Sequence, residues 1–168
     1  MSDLKKNKIY LKSVIHNAAV GSATSKEQMS NDKDANDILI EVNSVGTLLL
    51  QRELENSGML LKGCRILIVN SVGGLRPFKE FNPVDLASKA VLNKLDESLT
   101  LTHSVVSIFP GATDTDMFRK STLDSLEESG EAQSFISKLP KHSIIEPSEI
   151  GKIIAFFCRQ EISLYTNG

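Results

Sequence analysis

Arg65-Ile66-Leu67-Ile68-Val69-Asn70 carries four consecutive apolar residues, without the alternation of a strand that keeps one face wet. A strand of this kind is buried on both sides, as in a parallel sheet covered by helices. Two further short runs share its character. Ile9 to Ile15 closes in His16-Asn17-Ala18-Ala19, and Ser104-Val105-Val106-Ser107-Ile108-Phe109 stops at Pro110-Gly111. Between the first two runs, from about Asn36 to Glu55, apolar residues recur at helical spacing. Ile38, Val42, Val45, Leu49 and Leu50 lie near one stripe, and Asn56-Ser57-Gly58 ends the helix. Between the second and third runs, Asn82-Pro83 offers a capping side chain followed by proline in the first turn. That helix reaches to about Leu101. Strand, helix, strand, helix, strand, helix predicts an α/β fold on a parallel sheet.

The connecting stretches read as follows. Ser22 to Asp34 is a polar surface loop, and Ser71 to Phe81, with Gly73, Gly74 and Pro77, is a second loop. Thr115 to Ser137 is polar and helical in part. Pro147-Ser148-Glu149 opens a last amphipathic helix to about Cys158, and Ile162 to Gly168 resembles the approach to another strand. There is no internal repeat, low-complexity tract or linker, so residues 1–168 read as one domain.

The bulk properties narrow the function. The chain has 168 residues, enough for one domain with a core. A net charge of -2 gives no footprint for nucleic acid or an anionic membrane. No segment reaches the ~18 apolar residues of a membrane span. The start, Met1 to Lys8, is basic but lacks the apolar run of a signal peptide. The expected setting is the cytoplasm. Cys64 and Cys158 are far apart and form no CxxC pair, which argues against a zinc site or a disulfide scaffold. They read as buried thiols, and no metal is expected.

Five short motifs then fall in order. They are His16-Asn17-Ala18-Ala19, Val42-Asn43-Ser44-Val45-Gly46, Val69-Asn70-Ser71-Val72-Gly73, Asp85-Leu86-Ala87-Ser88-Lys89-Ala90 and Pro110-Gly111-Ala112-Thr113-Asp114-Thr115. Singly, Ser71 could end a strand, Asn43 could be a mid-helix polar residue, and Lys89 could be a solvated helix lysine. Together they resemble the short-chain dehydrogenase/reductase family, from about Ile9 to Gly168. The resemblance implies a partial Rossmann-like, doubly wound parallel sheet, with strands equivalent to the family's fourth to sixth and flanking helices. It implies NAD or NADP as cofactor and a secondary alcohol or its ketone as the small-molecule substrate. Ser71 would orient the carbonyl oxygen, Asn43 would fix a backbone kink and a water, and Lys89 would hold the nicotinamide ribose and tune the proton donor. Asn17, Lys89, Pro110, Gly111, Thr113 and Thr115 would line the cofactor. The residues from Thr115 to Lys141 would form a lid.

Two departures from the family pattern matter. The opening strand and its Thr-Gly-x-x-x-Gly-x-Gly loop, whose amides would meet a diphosphate, are not found. Without them the chain alone is not expected to hold the cofactor. At the position of the catalytic tyrosine stands Asp85, and Tyr10 and Tyr165 lie in the wrong elements. An ordinary aspartate is ionised at neutral pH and donates a proton poorly. Four residues before Lys89, it forms a favourable helical pair and is expected to raise the lysine's pKa. Two readings follow: an oxidoreductase impaired as an isolated chain, or a noncatalytic relative, scaffold or gene fragment. Association with a second copy or a completing polypeptide is expected through helices 36–55 and 83–101. With sheet edges left open, the isolated chain is expected to be poorly stable.

Overall fold

The computed structural model describes residues 6–7, 9–21, 33–76 and 82–159. The expected final strand approach, most of the 22–34 loop and the end of the 71–81 loop lie outside the described residues. Three strands, β1 (Leu11–His16), β2 (Leu60–Val69) and β3 (Ser104–Ile108), form one parallel sheet in the order β1-β2-β3. β2 is central. Its register pairs Val14 with Ile66, His16 with Ile68, Ile66 with Val105 and Val69 with Ile108. Ile66, Leu67 and Ile68 are fully buried, as a strand covered on both faces requires. Each contributes roughly 1.5–3 kcal/mol of burial.

Helix α1 (Lys33–Ile40) runs through a wide π turn (Glu41–Gly46) into α2 (Thr47–Ser57). Gly58, left-handed at φ 67°, ends it. Helix α3 (Pro83–Leu99) starts as its sequence predicts, with the Val84 N–H donating to Asn82 Oδ1 at 2.9 Å. Leu92, Leu95 and Leu99 of α3 pack on Ile66, Ile68 and Val105. On the same side of the sheet, Leu54 of α2 packs on Val14 and Cys64. Short helices α4 (Asp116–Phe118), α5 (Asp124–Glu128) and α6 (Ala132–Ser137) follow β3, with a second π turn (Arg119–Leu123) between α4 and α5. Helix α7 (Pro147–Phe157) closes the described chain. Its C-terminal carbonyls meet the buried Arg65, which donates from Nη1 to Phe157 O and, at 3.1 Å, to Arg159 O. A cation at this end is favoured by the helix dipole.

Three features differ from the sequence expectation. β2 begins at Leu60 rather than Arg65, because its first half is irregular. The pairing jumps from Leu11–Leu60 to Ser13–Arg65, with Gly63 at φ 78° inside the jump. The second is the apolar stripe, which lies outside: Ile38, Val42, Val45, Leu49 and Leu50 are 38–51% exposed. The buried side of the same helix is mostly polar, carrying Leu39, Asn43, Ser44, Thr47, Gln51 and Leu54. Those polar groups are paired, which is what burial demands. Gln51 Nε2 donates to Glu55 Oε1 at 3.1 Å, and its Oε1 lies 2.9 Å from His16 Nε2. The third concerns the thiols: Cys64 is buried but Cys158 is only half-buried, and both are free. No helix among the described residues is long and apolar enough to cross a membrane.

Candidate functional site

Asn17, Ser71 and Pro110 all follow the carboxyl ends of parallel strands, the end at which open α/β sheets bind ligands. Tyr10 precedes β1, at the opposite end of the sheet.

Asn43 ties three elements together. It sits in the π turn, where an extra backbone residue lets its side chain turn inward, and it is 1% exposed. Its Oδ1 accepts from Val20 N–H at 2.8 Å and its Nδ2 donates to Val20 O at 3.0 Å. This fixes the loop after β1. The same Nδ2 reaches Ser88 Oγ on α3 at 3.1 Å, and Ser88 donates to Asp85 O at 2.7 Å. Asn43, Ser88 and the backbone of Asp85 are therefore one connected network.

Ser71 opens the 3-10 turn Val72–Gly74 and caps it by accepting from Gly73 N–H at 3.1 Å. Its own hydroxyl proton remains available to a ligand oxygen. The loop lies hard against α3. A Cβ on Gly74 would stand 2.9 Å from the backbone C and O of Lys89, and one on Gly73 would stand 2.6 Å from Leu86 Cδ2. Two residues that sequence reasoning missed hold it there. Asn70 Oδ1 accepts from Ser71 N–H, Asn70 Nδ2 donates to Asn93 Oδ1 at 2.7 Å, and Asn93 Nδ2 donates to Gly74 O at 2.8 Å. The available signal was spacing, since Asp85, Lys89 and Asn93 recur every four residues along one side of α3.

Lys89 is mostly buried, and its pKa is lowered. Burial is the larger cause, and the Asp85 charge opposes it by raising the value. The sequence expectation was correct about the sign of the carboxylate's effect, but desolvation outweighs it. The unfolded chain therefore holds this proton more tightly than the folded chain does. Protonated Lys89 costs stability at lower pH, and that cost fades as pH rises from the lowered value to the ordinary lysine range. Urea midpoints should rise with pH across this window, and Lys89→Met should flatten the rise. An unchanged slope in Lys89→Met would show that the lysine is solvated.

The residues expected to line a cofactor are more scattered. Asn17 is exposed. Thr113 pairs across an isolated bridge with Ile145, and its hydroxyl donates to Gly111 O at 3.0 Å. Thr115 caps α4, accepting from Phe118 N–H at 3.2 Å. Next to it, a cavity of about 300 Å³ lies between the loop after β1 and the segment after β3, lined by Ala19, Val20, Gly21, Asp116, Met117 and Lys120. Met117 crowds Gly21 so closely that a Cβ there would stand 2.7 Å from its Cγ.

A diphosphate needs free backbone amides at a glycine-rich turn. Gly73 N–H is bonded to Ser71 Oγ, and Gly74 N–H donates to Ser71 O at 2.9 Å. The Gly73–Gly74 pair is therefore committed to its own loop and offers no free amide to a diphosphate. Among those residues no group of three or more His, Cys, Asp or Glu could hold a metal ion.

The family model described as enoyl-(acyl carrier protein) reductase matches residues 1–168. The chain belongs to this short-chain dehydrogenase/reductase family. Solved structures of family members share its fold. A short chain dehydrogenase family protein from Francisella tularensis subsp. tularensis SCHU S4 superposes with a TM-score of 0.82 at 22% identity, over 99% of this chain and 70% of the other. The 3-oxoacyl-(acyl-carrier protein) reductase of Brucella melitensis, in complex with NAD, gives 0.79 at 19% identity, over 99% and 66%. The aldohexose dehydrogenase of Thermoplasma acidophilum, ligand-free, gives 0.80 at 20% identity and spans 68% of that protein. The chain thus spans about two thirds of the length of these relatives. No curated protein sequence matches it. Around this sheet, Ser71 follows β2 and Lys89 lies within α3, its backbone packed beside the Ser71–Gly74 loop.

Proposed function

We propose that this chain carries the substrate side of an NAD(P)-dependent oxidoreductase site for a secondary alcohol or its ketone, and that as an isolated chain it is catalytically impaired. The observation that supports this reading is the packing of the Ser71 loop on the turn of α3 that bears Asp85 and Lys89. A serine with a free hydroxyl proton and a mostly buried lysine would flank one carbonyl, with Asn43 bracing the helix between them. Asp85 stands where a phenol would supply the proton, and a carboxylate is a poor donor at neutral pH. Asn17, Pro110, Gly111, Thr113 and Thr115 would contribute only the nicotinamide end of a cofactor site. A cytosolic setting accords with two free cysteines.

The test is a titration with NADH and NADPH, following nicotinamide fluorescence and ketone-dependent oxidation. The isolated chain should show neither saturable binding nor turnover. Saturable binding with turnover would overturn the impairment.

A second reading, a noncatalytic subunit that associates through its helices, is favoured by one observation: the outward apolar stripe of Ile38, Val42, Val45 and Leu49. Such a row on a soluble surface marks an interaction face. Its occupant would be a second copy or a completing polypeptide, lying across residues 36–55 and 83–101. Silence in the nicotinamide titration together with a discrete dimer in sedimentation would select this reading.

A further inference from the structure

Arg65 stands within β2 with only 3% of its surface exposed. Its Nη1 donates to the carbonyls of Phe157 and Arg159, but Nε and Nη2 are buried and find no hydrogen-bond partner among the described residues. No ion pair among those residues involves it either. The two carbonyls accept hydrogen bonds but carry no full charge. The cation is therefore left without a counter-charge in a buried place, which is costly. A guanidinium, unlike an amine, cannot shed its proton to escape that cost.

The position of the two unpartnered nitrogens defines what fits them. Nε–H and the Nη2–H beside it lie in one plane and point the same way. They form the edge of the fork that takes both oxygens of a carboxylate. The neighbouring strands make this place polar. Ser13 of β1 and Ser104 of β3 pair with Arg65 in register, so three polar side chains share one face across the three strands. Ser13 Oγ donates to Cys158 O at 3.4 Å, which seats the end of α7 over the row.

We propose that the Nε–Nη2 edge of Arg65 is a carboxylate-binding site. It lies level with the start of β3, away from the carboxyl strand ends followed by Asn17, Ser71 and Pro110. Two sources carry this chemistry. One is a free small carboxylate. The other is the side chain of Glu161, which stands two residues beyond Arg159 in the sequence and is the one acid within residues 160–168. The site goes beyond the oxidoreductase reading and needs no cofactor, so the nicotinamide titration and the experiment below fail independently.

The experiment follows urea unfolding of the whole chain at neutral pH, in sodium formate against sodium chloride at equal ionic strength. A free carboxylate as the source predicts a midpoint that rises saturably with formate and not with chloride. The chain's own carboxylate predicts no such rise, a midpoint lower by about 1 M or more in Glu161→Gln, and recovery of that loss in formate. Either pattern supports the site and names its source. Formate and chloride acting alike, with an unchanged midpoint in Glu161→Gln, would overturn it and leave ordered water as the partner of Nε and Nη2. A loss in Glu161→Gln that formate does not restore would overturn it as well.

A second readout ties the effect to Arg65 without a substitution there. Its Nε–H resonance should move on adding formate or in Glu161→Gln, while that of the exposed Arg52 stays in place. An Arg65 resonance that moves in neither condition would overturn the proposal, whatever the midpoints show.

Discussion

Asn43→Ala should lower the stability of the chain by on the order of 2–4 kcal/mol, the largest loss expected from any single polar truncation at the site. The residue is 1% exposed and makes three side-chain hydrogen bonds, two to Val20 and one to Ser88. Truncation leaves Val20 N–H, Val20 O and the Ser88 hydroxyl to find other partners in a tight space. Asn43→Asp sharpens the test. It keeps the acceptor for Val20 N–H but loses both donations and sets a buried carboxylate against the Val20 carbonyl. It should therefore cost at least as much as alanine, although it is nearly isosteric. Urea unfolding followed by circular dichroism gives both values. A change of less than about 0.5 kcal/mol in both variants would mean that the loop after β1 is held by something other than Asn43.

The second large effect concerns association. Val45 lies on the outward stripe between Val42 and Leu49, with its side chain toward solvent. Val45→Glu puts a charge into the centre of that row. If the stripe is covered by a second copy, the same charge is buried unpaired on both sides of an isologous interface. The dissociation constant should rise by about 100-fold or more, equivalent to about 2.7 kcal/mol. Within one chain the same substitution is a surface change and should alter the unfolding midpoint little. Sedimentation equilibrium measures the first quantity and urea unfolding the second. Equal association of Val45→Glu and the unsubstituted chain would remove the stripe from the interface.

The sheet was legible because its residues declare their surroundings. Ile66, Leu67 and Ile68 have no polar alternation, and a strand of that kind must be buried twice. Asn82-Pro83 was legible because a helix start has a local chemistry, and the Asn82 cap is present. Other features depend on partners distant in sequence. Apart from Leu39 and Leu54, the core side of residues 33–57 is polar, satisfied by Val20, Ser88 and His16, while the apolar stripe points away. Periodicity finds such a stripe but does not say which side of it is wet. The extension of β2 to Leu60 depends on a break in register around Gly63, which has no signature in the strand pattern itself. At the site, the residues of the family motifs were readable in order, but the clamp formed by Asn70 and Asn93 was not. Lys89 carries the same lesson: spacing reveals its charged neighbour, and only the fold reveals its desolvation.

The π turn at Glu41–Gly46 is a one-residue bulge rather than a break in the helix. Removing one residue and returning to regular winding cancel each other, so α1 and α2 would keep their common inward face. What would change is the setting of the residues within the turn, Asn43 and Ser44, which are buried there. The extra residue thus serves the loop after β1 that Asn43 holds, not the seating of the two helices on the sheet.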